Sequence, residues 1–281
     1  MKKHTGWLIY NQEDAAKNRG YIDWMLEEAK SLDLDLRLYY RDHLQIGHRS
    51  NQLYVVHKHE PIDLPDFAIV RTIDPFFTKQ LERLHITCFN SSFISEIVND
   101  KAKTHQYVTS IGIPMSDTVY CYGNPSTSDM ELPFIAKDVH GRGGKQVYLI
   151  EHEKDLRELP NAKWIVQKPG VFGKDIRVFV IGNRIIAAVL RESSSNFKAN
   201  YTLGGSASLY ELSAAERTLV ERVIAAFDFG MVGIDFIFAE DGSLMLNEVE
   251  DVVGSRTLSA LSNLNIVKEY LLFIKEKLSV K

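Results

Sequence analysis

The sequence predicts an α/β protein, in which a small parallel α/β unit precedes a larger part that is rich in strands. In the first ninety residues, short apolar segments alternate with segments of helical spacing, a pattern that favours a parallel sheet. Beyond them, strand-like segments follow one another directly. The length of 281 residues suits roughly two domains at about 150 residues each.

The N-terminal alternation is read from apolar periodicity. It predicts strands at 6–11, 35–40, 67–72 and 86–90, and helices at 21–32, 75–84 and 95–112. Pro75 stands where a first helical turn accepts proline. We place the end of this unit near residue 96, so the predicted domains are 1–96 and 97–281.

Strand-like segments dominate the second part. They cover 119–123, 132–139, 146–150, 164–169, 175–182, 184–192, 232–238 and 244–250. The segment from Gly182 to Arg184 predicts a hairpin turn, and Ser213 with Glu216 predicts a capping box that opens a helix. The polar segment 193–208 is expected to be a mobile loop. An apolar stripe predicts a C-terminal helix and consists of Ile266, Val267, Tyr270, Ile274 and Leu278.

Composition sets limits on function. The net charge of −4 gives no global reason to expect nucleic acid as a partner, although local basic patches stay open. Cys88 and Cys121 lack metal-type spacing, and the N-terminal apolar segment is too short for a signal peptide. No apolar run approaches the ~18 residues of a membrane span. We expect a cytoplasmic protein without a membrane partner, and leave a homo-oligomer open.

Carboxylates cluster at the end of an apolar strand in LMLNEVEDVVG, residues 244–254. A two-residue turn centred on Asp241-Gly242 would bring Asp235 opposite Glu248, with Glu250 on the same face. Facing like charges are destabilising, so a compensating charge is expected. Mg²⁺ prefers such oxygen ligands. The alternative is a strand end whose acids face water, and a slip of one residue in the register would remove the convergence.

A magnesium site predicts a phosphate site nearby. The candidate is Lys137 with the loop HGRGGK, residues 140–145. The glycines Gly141, Gly143 and Gly144 allow backbone geometries that turn N–H groups toward an anion. The GxxxxGK[ST] pattern of a P-loop is absent, and an ordinary surface turn is the alternative.

The motifs, taken in order, resemble the ATP-grasp superfamily, and within it the RimK-like carboxylate–amine ligases. NDKAKTHQYVTSIGIP resembles the entry into the fold, PFIAKDVHGRGGKQV the phosphate-covering strand and loop, and WIVQKP the adenine hinge. The family's next segments are the strands after the hinge, a loop near the phosphates and a metal-binding pair of strands. They resemble, in this order, DIRVFVIGNRIIAAVLR, NFKANYTLGGSA, and VGIDFIF with NEVE. The resemblance covers residues 65–260. It implies an ATP-grasp domain with a nucleotide-covering subdomain, 97–168, and a subdomain for metal and phosphate, 169–281.

The resemblance also implies roles for individual residues. Nucleotide contacts are expected at Lys101, Lys137, Gly141, Gly143, Gly144, Gln167, Lys168, Asp175 and Arg177. Strand-edge backbone groups at the hinge would pair with adenine. Catalytic residues are expected at Lys137, Arg191, Lys198 and Asn200, and metal ligands at Asp235, Glu248 and Glu250. Glu250 departs from the family, where Asn is usual. Arg71 and Arg256 are candidates for holding a substrate carboxylate, with a structural ion pair as the alternative for each.

The implied chemistry is amide formation. ATP phosphorylates a carboxylate, an amine attacks the acylphosphate, and ADP and phosphate leave. The expected cofactors are ATP and Mg²⁺, with two ions and with Mn²⁺ as a substitute. The expected partners are a small-molecule or peptide carboxylate, for which an acidic amino acid such as glutamate is suggested, and an amine. A kinase on the same scaffold and a nucleotide-binding module without chemistry are the competing functions.

Overall fold

A computed structural model describes residues 3–144, 146–193, 197–198 and 205–279. Its strands are β1 His4–Tyr10, β2 Leu34–Tyr40, β3 Leu44–Arg49, β4 Gln52–His57, β5 Glu60–Pro61, β6 Phe67–Val70, β7 Thr87–Phe89, β8 Thr118–Cys121, β9 Phe134–Asp138, β10 Val147–Ile150, β11 Trp164–Gln167, β12 Lys174–Ile181, β13 Arg184–Glu192, β14 Ser206–Tyr210, β15 Met231–Phe238 and β16 Leu244–Glu250. Its α-helices are α1 Gln12–Lys17, α2 Arg19–Ser31, α3 Pro75–Arg83, α4 Ser92–Val98, α5 Lys101–Ser110, α6 Ala214–Ala225, α7 Arg256–Leu261 and α8 Ile266–Ser279.

The N-terminal strands form the predicted parallel sheet, in the order β2-β1-β6-β7. β6 is buried along its whole length, as a strand covered on both faces must be. Asp74 caps α3 by accepting a hydrogen bond from Phe77 N, and Pro75 takes the first helical turn. The prediction of an α/β fold with a parallel N-terminal sheet is confirmed.

Residues 41–66, for which the sequence predicted no element, contain a second sheet in the order β3-β4-β5. Its first hairpin closes through Ser50 and Asn51, both with positive φ, at 48° and 62°. A two-residue hairpin turn needs this conformation, and it is usually signalled by glycine. Ser-Asn carries no such signal, which explains why the sheet was missed.

The later strands form two antiparallel sheets, ordered β10-β9-β11-β8 and β14-β13-β12-β15-β16. The predicted hairpin at Gly182 is present, with a φ of 58° that suits glycine. Two predicted bounds are wrong. The helix expected at 95–112 breaks at Asn99, because the Asp100 side chain caps a new helix by accepting from Lys103 N. The loop expected at 193–208 ends early, since β14 pairs with the neighbouring strand β13, and its residues 194–196 and 199–204, with the expected mobility, lie outside the described residues.

One apolar core joins the parallel sheet to the five-stranded sheet. Leu8 and Phe67 belong to the same cluster as Phe179 and Met231, and α8 packs against α2. All five residues of the predicted stripe on α8 are buried. The domain boundary near residue 96 stays a prediction. Within the described ranges, every helix is too short or too polar to cross a membrane.

Candidate active site

A cleft of about 540 Å³ lies between the sheet β10-β9-β11-β8 and the five-stranded sheet. Its walls come from the glycine-rich loop, from β9 and β11, and from β12, β13, β15 and β16. The predicted site residues that line it are Lys101, Lys137, Gly141, Gly143, Gly144, Gln167, Lys168, Asp175, Arg177, Arg191, Lys198, Asp235, Glu248, Glu250 and Arg256. Segments that are distant in sequence therefore meet in one place.

The β15–β16 hairpin brings Asp235 opposite Glu248, as predicted. The turn itself differs from the expectation. Its closing pair is Ala239 and Ser243, joined by a 2.8 Å hydrogen bond from Ala239 N to Ser243 O. Three residues therefore form the loop, instead of the two-residue turn centred on Asp241-Gly242. Taken alone, this change would move the register by one residue.

A β-bulge in β16 restores the register. Its extra residue is Asn247, whose side chain lines the cleft because a bulge re-aims the strand locally. The Asn247 Oδ1 atom accepts a hydrogen bond from Lys137 Nζ at 2.6 Å. Strict alternation along the strand places Asn247 on the face opposite to Glu248, so its contact with Lys137 was not predicted.

Arginines offset the carboxylates of the cleft. Arg177 grips Asp235 with two hydrogen bonds of 2.7 Å, and its Nη1 lies 2.7 Å from Glu250 Oε2. Arg191 donates to Asp235 at 2.9 Å and also makes a two-pronged pair with Asp175. Both Asp235 oxygens accept from guanidinium groups, so these arginines compensate its charge in this structure, and a divalent cation at Asp235 stays a prediction.

The burial of these groups makes the pairing strong. Asp235 is 2% exposed. Burial would raise the pKa of Asp235, but Arg177 and Arg191 hold it well below its usual range, so this acid stays ionised. Burial raises the pKa of Asp175 above its ordinary value, against the opposing effect of Arg191. No group of three or more His, Cys, Asp or Glu side chains in the described part of the chain has a metal-binding arrangement.

Two lysines hold the glycine-rich loop at the cleft by hydrogen bonds to its carbonyl oxygens. Lys101 Nζ donates to Gly141 O at 2.5 Å and lies 3.5 Å from Glu248 Oε2. Lys198 Nζ donates to Gly144 O at 2.7 Å. Gly144 has a φ of 69°, a conformation that favours glycine. Cationic groups from α5 and from the segment after β13 therefore meet at the loop that was predicted to hold phosphate.

The ammonium group of Lys137 has a lowered pKa. Burial lowers the pKa of the Lys137 ammonium to about 8, Glu248 opposes this change, and Lys101 reinforces it. The side chain of Lys137 is directed to Asn247 and lines the cleft. With a pKa of about 8 the ammonium is still largely protonated at neutral pH, and a neighbouring anion would favour the charged form further, which suits contact with a phosphate.

The hinge at Gln167 differs from the expectation in one respect. β11 lies between β9 and β8, and Gln167 pairs with Ile135 on one side and Thr118 on the other. The backbone N–H of Lys168 donates to Asp117 O at 3.1 Å. β11 is therefore an inner strand with neighbours on both sides of Gln167, and adenine binding by backbone groups of the hinge around Gln167 and Lys168 stays a prediction. The Gln167 side chain nonetheless lines the cleft.

The three remaining predicted site residues are Asn200, Arg71 and Arg256. Asn200 lies outside the described residues. Arg71 is buried beside the parallel sheet, where it donates to Tyr10 Oη at 3.3 Å and to Val253 O at 2.8 Å. It is not among the residues that line the cleft. Arg256 opens α7 and does line it. Direct contact of Arg71 or Arg256 with a substrate stays a prediction.

Sequence reasoning missed a buried polar chain behind the cleft. His105 is 1% exposed, and its Nε2 lies 3.2 Å from Asn247 O. Its Nδ1 lies 3.4 Å from Thr118 Oγ1, which in turn contacts Gln167 Nε2 at 3.0 Å. Burial, with Lys137 nearby, lowers the pKa of His105 to about 4, so the ring is neutral. Only tertiary contacts join these residues, so sequence spacing gave no signal.

The chain is similar to known proteins both in sequence and in fold. Residues 98–274 match the family model of the RimK-like ATP-grasp domain. The chain is 27% identical over 244 residues to a probable alpha-L-glutamate ligase of Legionella pneumophila (strain Corby), covering 79% of this chain and 80% of that protein.

Solved structures share the fold. A RimK domain ATP-grasp protein from Sphaerobacter thermophilus superposes with a TM-score of 0.73 at 15% identity, over 96% of this chain and 98% of that one. The ATP-grasp ligase PsnB, solved with a phosphomimetic variant of its minimal precursor, Mg and ADP, gives 0.72 at 14%, over 97% and 98%. The family match spans more than half of the chain and confirms the predicted class of enzyme, an ATP-grasp ligase. The chain therefore belongs to the RimK-like ATP-grasp domain family.

Proposed function

We propose that the protein is an ATP-dependent carboxylate–amine ligase that forms an amide through an acylphosphate and releases ADP and phosphate. The observation that carries this proposal is the composition of the cleft. Lys101, Lys137, Lys198 and Arg191 line it together with Glu248 of the five-stranded sheet. Cationic groups fixed around a developing phosphoryl charge are the usual means of catalysing phosphoryl transfer.

The nucleotide would occupy the space between the two sheets. Lys137 and the glycine-rich loop would hold its phosphates, and the wall formed by β9 and β11 would hold its base. Fixed N–H groups and a lysine at a glycine-rich turn suit a polyphosphate. PsnB has been solved with Mg and ADP on the same fold, which supports ATP as the nucleotide here.

A divalent cation fits part of the predicted ligand set. The side chains of Glu248 and Glu250 line the cleft and are 37% and 40% exposed, although Glu250 Oε2 itself is buried against Arg177. Asp235 can bind the ion only if Arg177 or Arg191 gives up its hydrogen bond to one of the Asp235 carboxylate oxygens. When bound, Mg²⁺ would supply charge neutralisation for the phosphates. We infer that Glu248 and Glu250 are the principal ligands and that Asp235 joins them on nucleotide binding. Two ions, and substitution by Mn²⁺, remain part of the proposal.

The proposed substrates are an acidic amino acid, such as glutamate, and an amine. The names of relatives such as the Legionella protein support glutamate. Arg256 is the candidate for holding the substrate carboxylate, because it lines the cleft and guanidinium groups bind carboxylates in a two-pronged geometry. Arg71 would act indirectly, by fixing Val253 near the start of the segment that carries Arg256.

The test is ADP release measured across pools of carboxylates and amines, with mass spectrometry of the products. With a suitable acid, a ligase releases ADP faster when the amine is also present, and the mass of the product equals that of the acid and the amine joined with loss of water. A phosphorylated product that survives workup would identify a kinase instead. Lys137→Ala serves as the control, since loss of a donor to developing charge commonly costs about 10²–10³-fold in turnover.

A further inference from the structure

The β-bulge in β16 places two consecutive side chains on the face that lines the cleft. Asp235 pairs with Glu248 and Phe236 pairs with Leu246, so Asn247 is the extra residue of the bulge. Asn247 and Glu248 both line the cleft, whereas consecutive residues of a regular strand point to opposite faces. The bulge therefore presents an amide and a carboxylate side by side.

These two side chains contact two different lysines. Glu248 Oε2 lies 3.5 Å from Lys101 Nζ of α5, and Asn247 Oδ1 accepts a hydrogen bond of 2.6 Å from Lys137 Nζ of β9. Lys101 thus has an acidic partner. Lys137 forms no salt bridge with a carboxylate of the described residues, and the Asn247 amide is its hydrogen-bond partner there.

A neutral partner fixes the position of a cation without cancelling its charge. An ion pair with a carboxylate would offset the positive charge of Lys137 and would compete with an anion for its N–H groups. An ammonium group has three donors, and the amide oxygen of Asn247 takes one of them. Lys137 therefore keeps two donors and its positive charge for an anion bound in the cleft.

His105 holds the backbone of the bulge. The carbonyl oxygen of Asn247 lies 3.2 Å from His105 Nε2, and because this oxygen can only accept, Nε2 carries the ring proton. His105 follows Lys101 by four residues on α5, so the two side chains leave the same side of the helix. α5 therefore contacts the bulge twice, at the backbone of Asn247 and at the side chain of Glu248.

We propose that Asn247 is a positioning residue for Lys137 and that His105 fixes the bulge from which Asn247 acts. The proposal rests on the proposed function, because it takes Lys137 as a contact of the nucleotide phosphates. It goes further by making the affinity for those phosphates depend on a neutral amide that acts through Lys137 and on a buried histidine.

The experiment is a double-mutant cycle on Asn247 and Lys137, with binding of Mg-ADP to the full chain measured by calorimetry. Lys137→Met removes the ammonium and should weaken binding by about tenfold or more, since hydrogen bonds from a charged group are lost. Asn247→Leu removes the acceptor at similar volume and should weaken binding by about five- to tenfold. Combined with Lys137→Met, it should add less than about twofold, because the residue through which it acts is gone.

A purely structural role for Asn247 predicts a different result. If its amide only ties β9 to β16, Asn247→Leu would weaken binding by the same factor with and without Lys137, which would overturn the proposal. Unchanged binding by Asn247→Leu or by Lys137→Met would also overturn it and would leave the proposed ligase intact. If Asn247→Leu does not fold, Asn247→Ala replaces it in the cycle, since it also removes the acceptor. Failure of the unmodified protein to bind Mg-ADP would overturn the proposed function and this proposal together.

His105 is tested in the same way. His105→Leu removes the donor to Asn247 O, whereas His105→Gln retains a side-chain N–H. His105→Leu should weaken Mg-ADP binding several-fold where Lys137 is present and by less than about twofold in the Lys137→Met protein. His105→Gln should keep more of the affinity. Equal weakening by His105→Leu in both backgrounds would overturn the part of the proposal that concerns His105.

Discussion

Arg177 and Asp235 form a two-pronged ion pair at the base of the cleft, with both N–O distances at 2.7 Å. The pair joins β12 to β15, where the two residues stand directly opposite each other in the antiparallel register. The same guanidinium reaches Glu250 on β16. One side chain therefore connects three neighbouring strands of the sheet and neutralises acids that would otherwise repel each other.

Removing Arg177 should destabilise the fold. Arg177→Met leaves the buried Asp235 carboxylate with Arg191 as its remaining ionic partner, so the free energy of unfolding should fall by about 3 kcal/mol. Urea denaturation measures this change. Arg184→Met is the matched control, since its 3.4 Å pair with Glu269 is 48% and 38% exposed and should contribute less than about 1 kcal/mol. Equal losses in the two variants would contradict the role given to the buried pair.

Nucleotide binding should weaken as the pH rises through about 8. Burial lowers the pKa of Lys137 to about 8, so its ammonium loses its proton above that pH and no longer attracts phosphate. Calorimetry with Mg-ADP between about pH 7 and about pH 9.5 measures the decline. Lys137→Arg stays charged throughout this range, so its affinity should vary less with pH. The same decline in both proteins would exclude Lys137 as its source.

The two glutamates of β16 should respond differently to neutralisation. Glu248→Gln should abolish turnover, because it removes a charged ligand that faces the cleft. Glu250→Asn introduces the residue usual in the family, so it should keep measurable turnover and require more Mg²⁺. Turnover measured over a magnesium titration separates the two. Full activity in both variants at limiting Mg²⁺ would argue against a metal site here.

Thermal melting in EDTA adds an independent readout for Glu250. Repulsion among the three acids alone would make its neutralisation stabilising. The 2.7 Å contact with Arg177 reverses this expectation, so Glu250→Asn should melt at or below the temperature of the unmodified protein. A clear rise in melting temperature would show that the repulsion outweighs the pairing with Arg177.

Arg256 should govern affinity for the acid substrate. Arg256→Ala removes a charged hydrogen-bonding group from the cleft wall, which should raise KM for the acid about ten- to one-hundred-fold with little change in KM for ATP. Steady-state kinetics with each substrate varied in turn measures this. Arg71→Met should in addition lower the melting temperature, since Arg71 is buried and holds Val253 O. An unchanged KM for the acid in Arg256→Ala would remove Arg256 from the substrate site.

Local patterns predicted the elements that depend on a few neighbouring residues. The capping box formed by Ser213 and Glu216, the turn at Gly182 and the buried stripe of α8 are all as expected. The pairing of Asp235 with Glu248 is also correct, although a longer turn and a compensating bulge produce it. Counting along strands cannot detect two such changes that cancel.

The sequence did not predict contacts between side chains of distant segments. The pairing of Arg177 with Asp235 depends on β12 lying beside β15, and the contact between Thr118 and Gln167 depends on β8 lying beside β11. No feature of the sequence indicates these neighbours, so the arginine partners of Asp235 were not predicted. The family resemblance identified the cleft-lining residues, because motif order carries information that spacing lacks.

The transfer of an oxygen atom from the acid substrate to phosphate tests the ligase proposal most directly. The acid found in the substrate screen would be labelled with ¹⁸O in its reacting carboxylate, and the phosphate released with the amide would be examined by mass spectrometry. An acylphosphate route predicts one ¹⁸O in the phosphate, one retained in the amide, and one ADP for each amide formed. Amide formation with unlabelled phosphate would contradict the proposed mechanism.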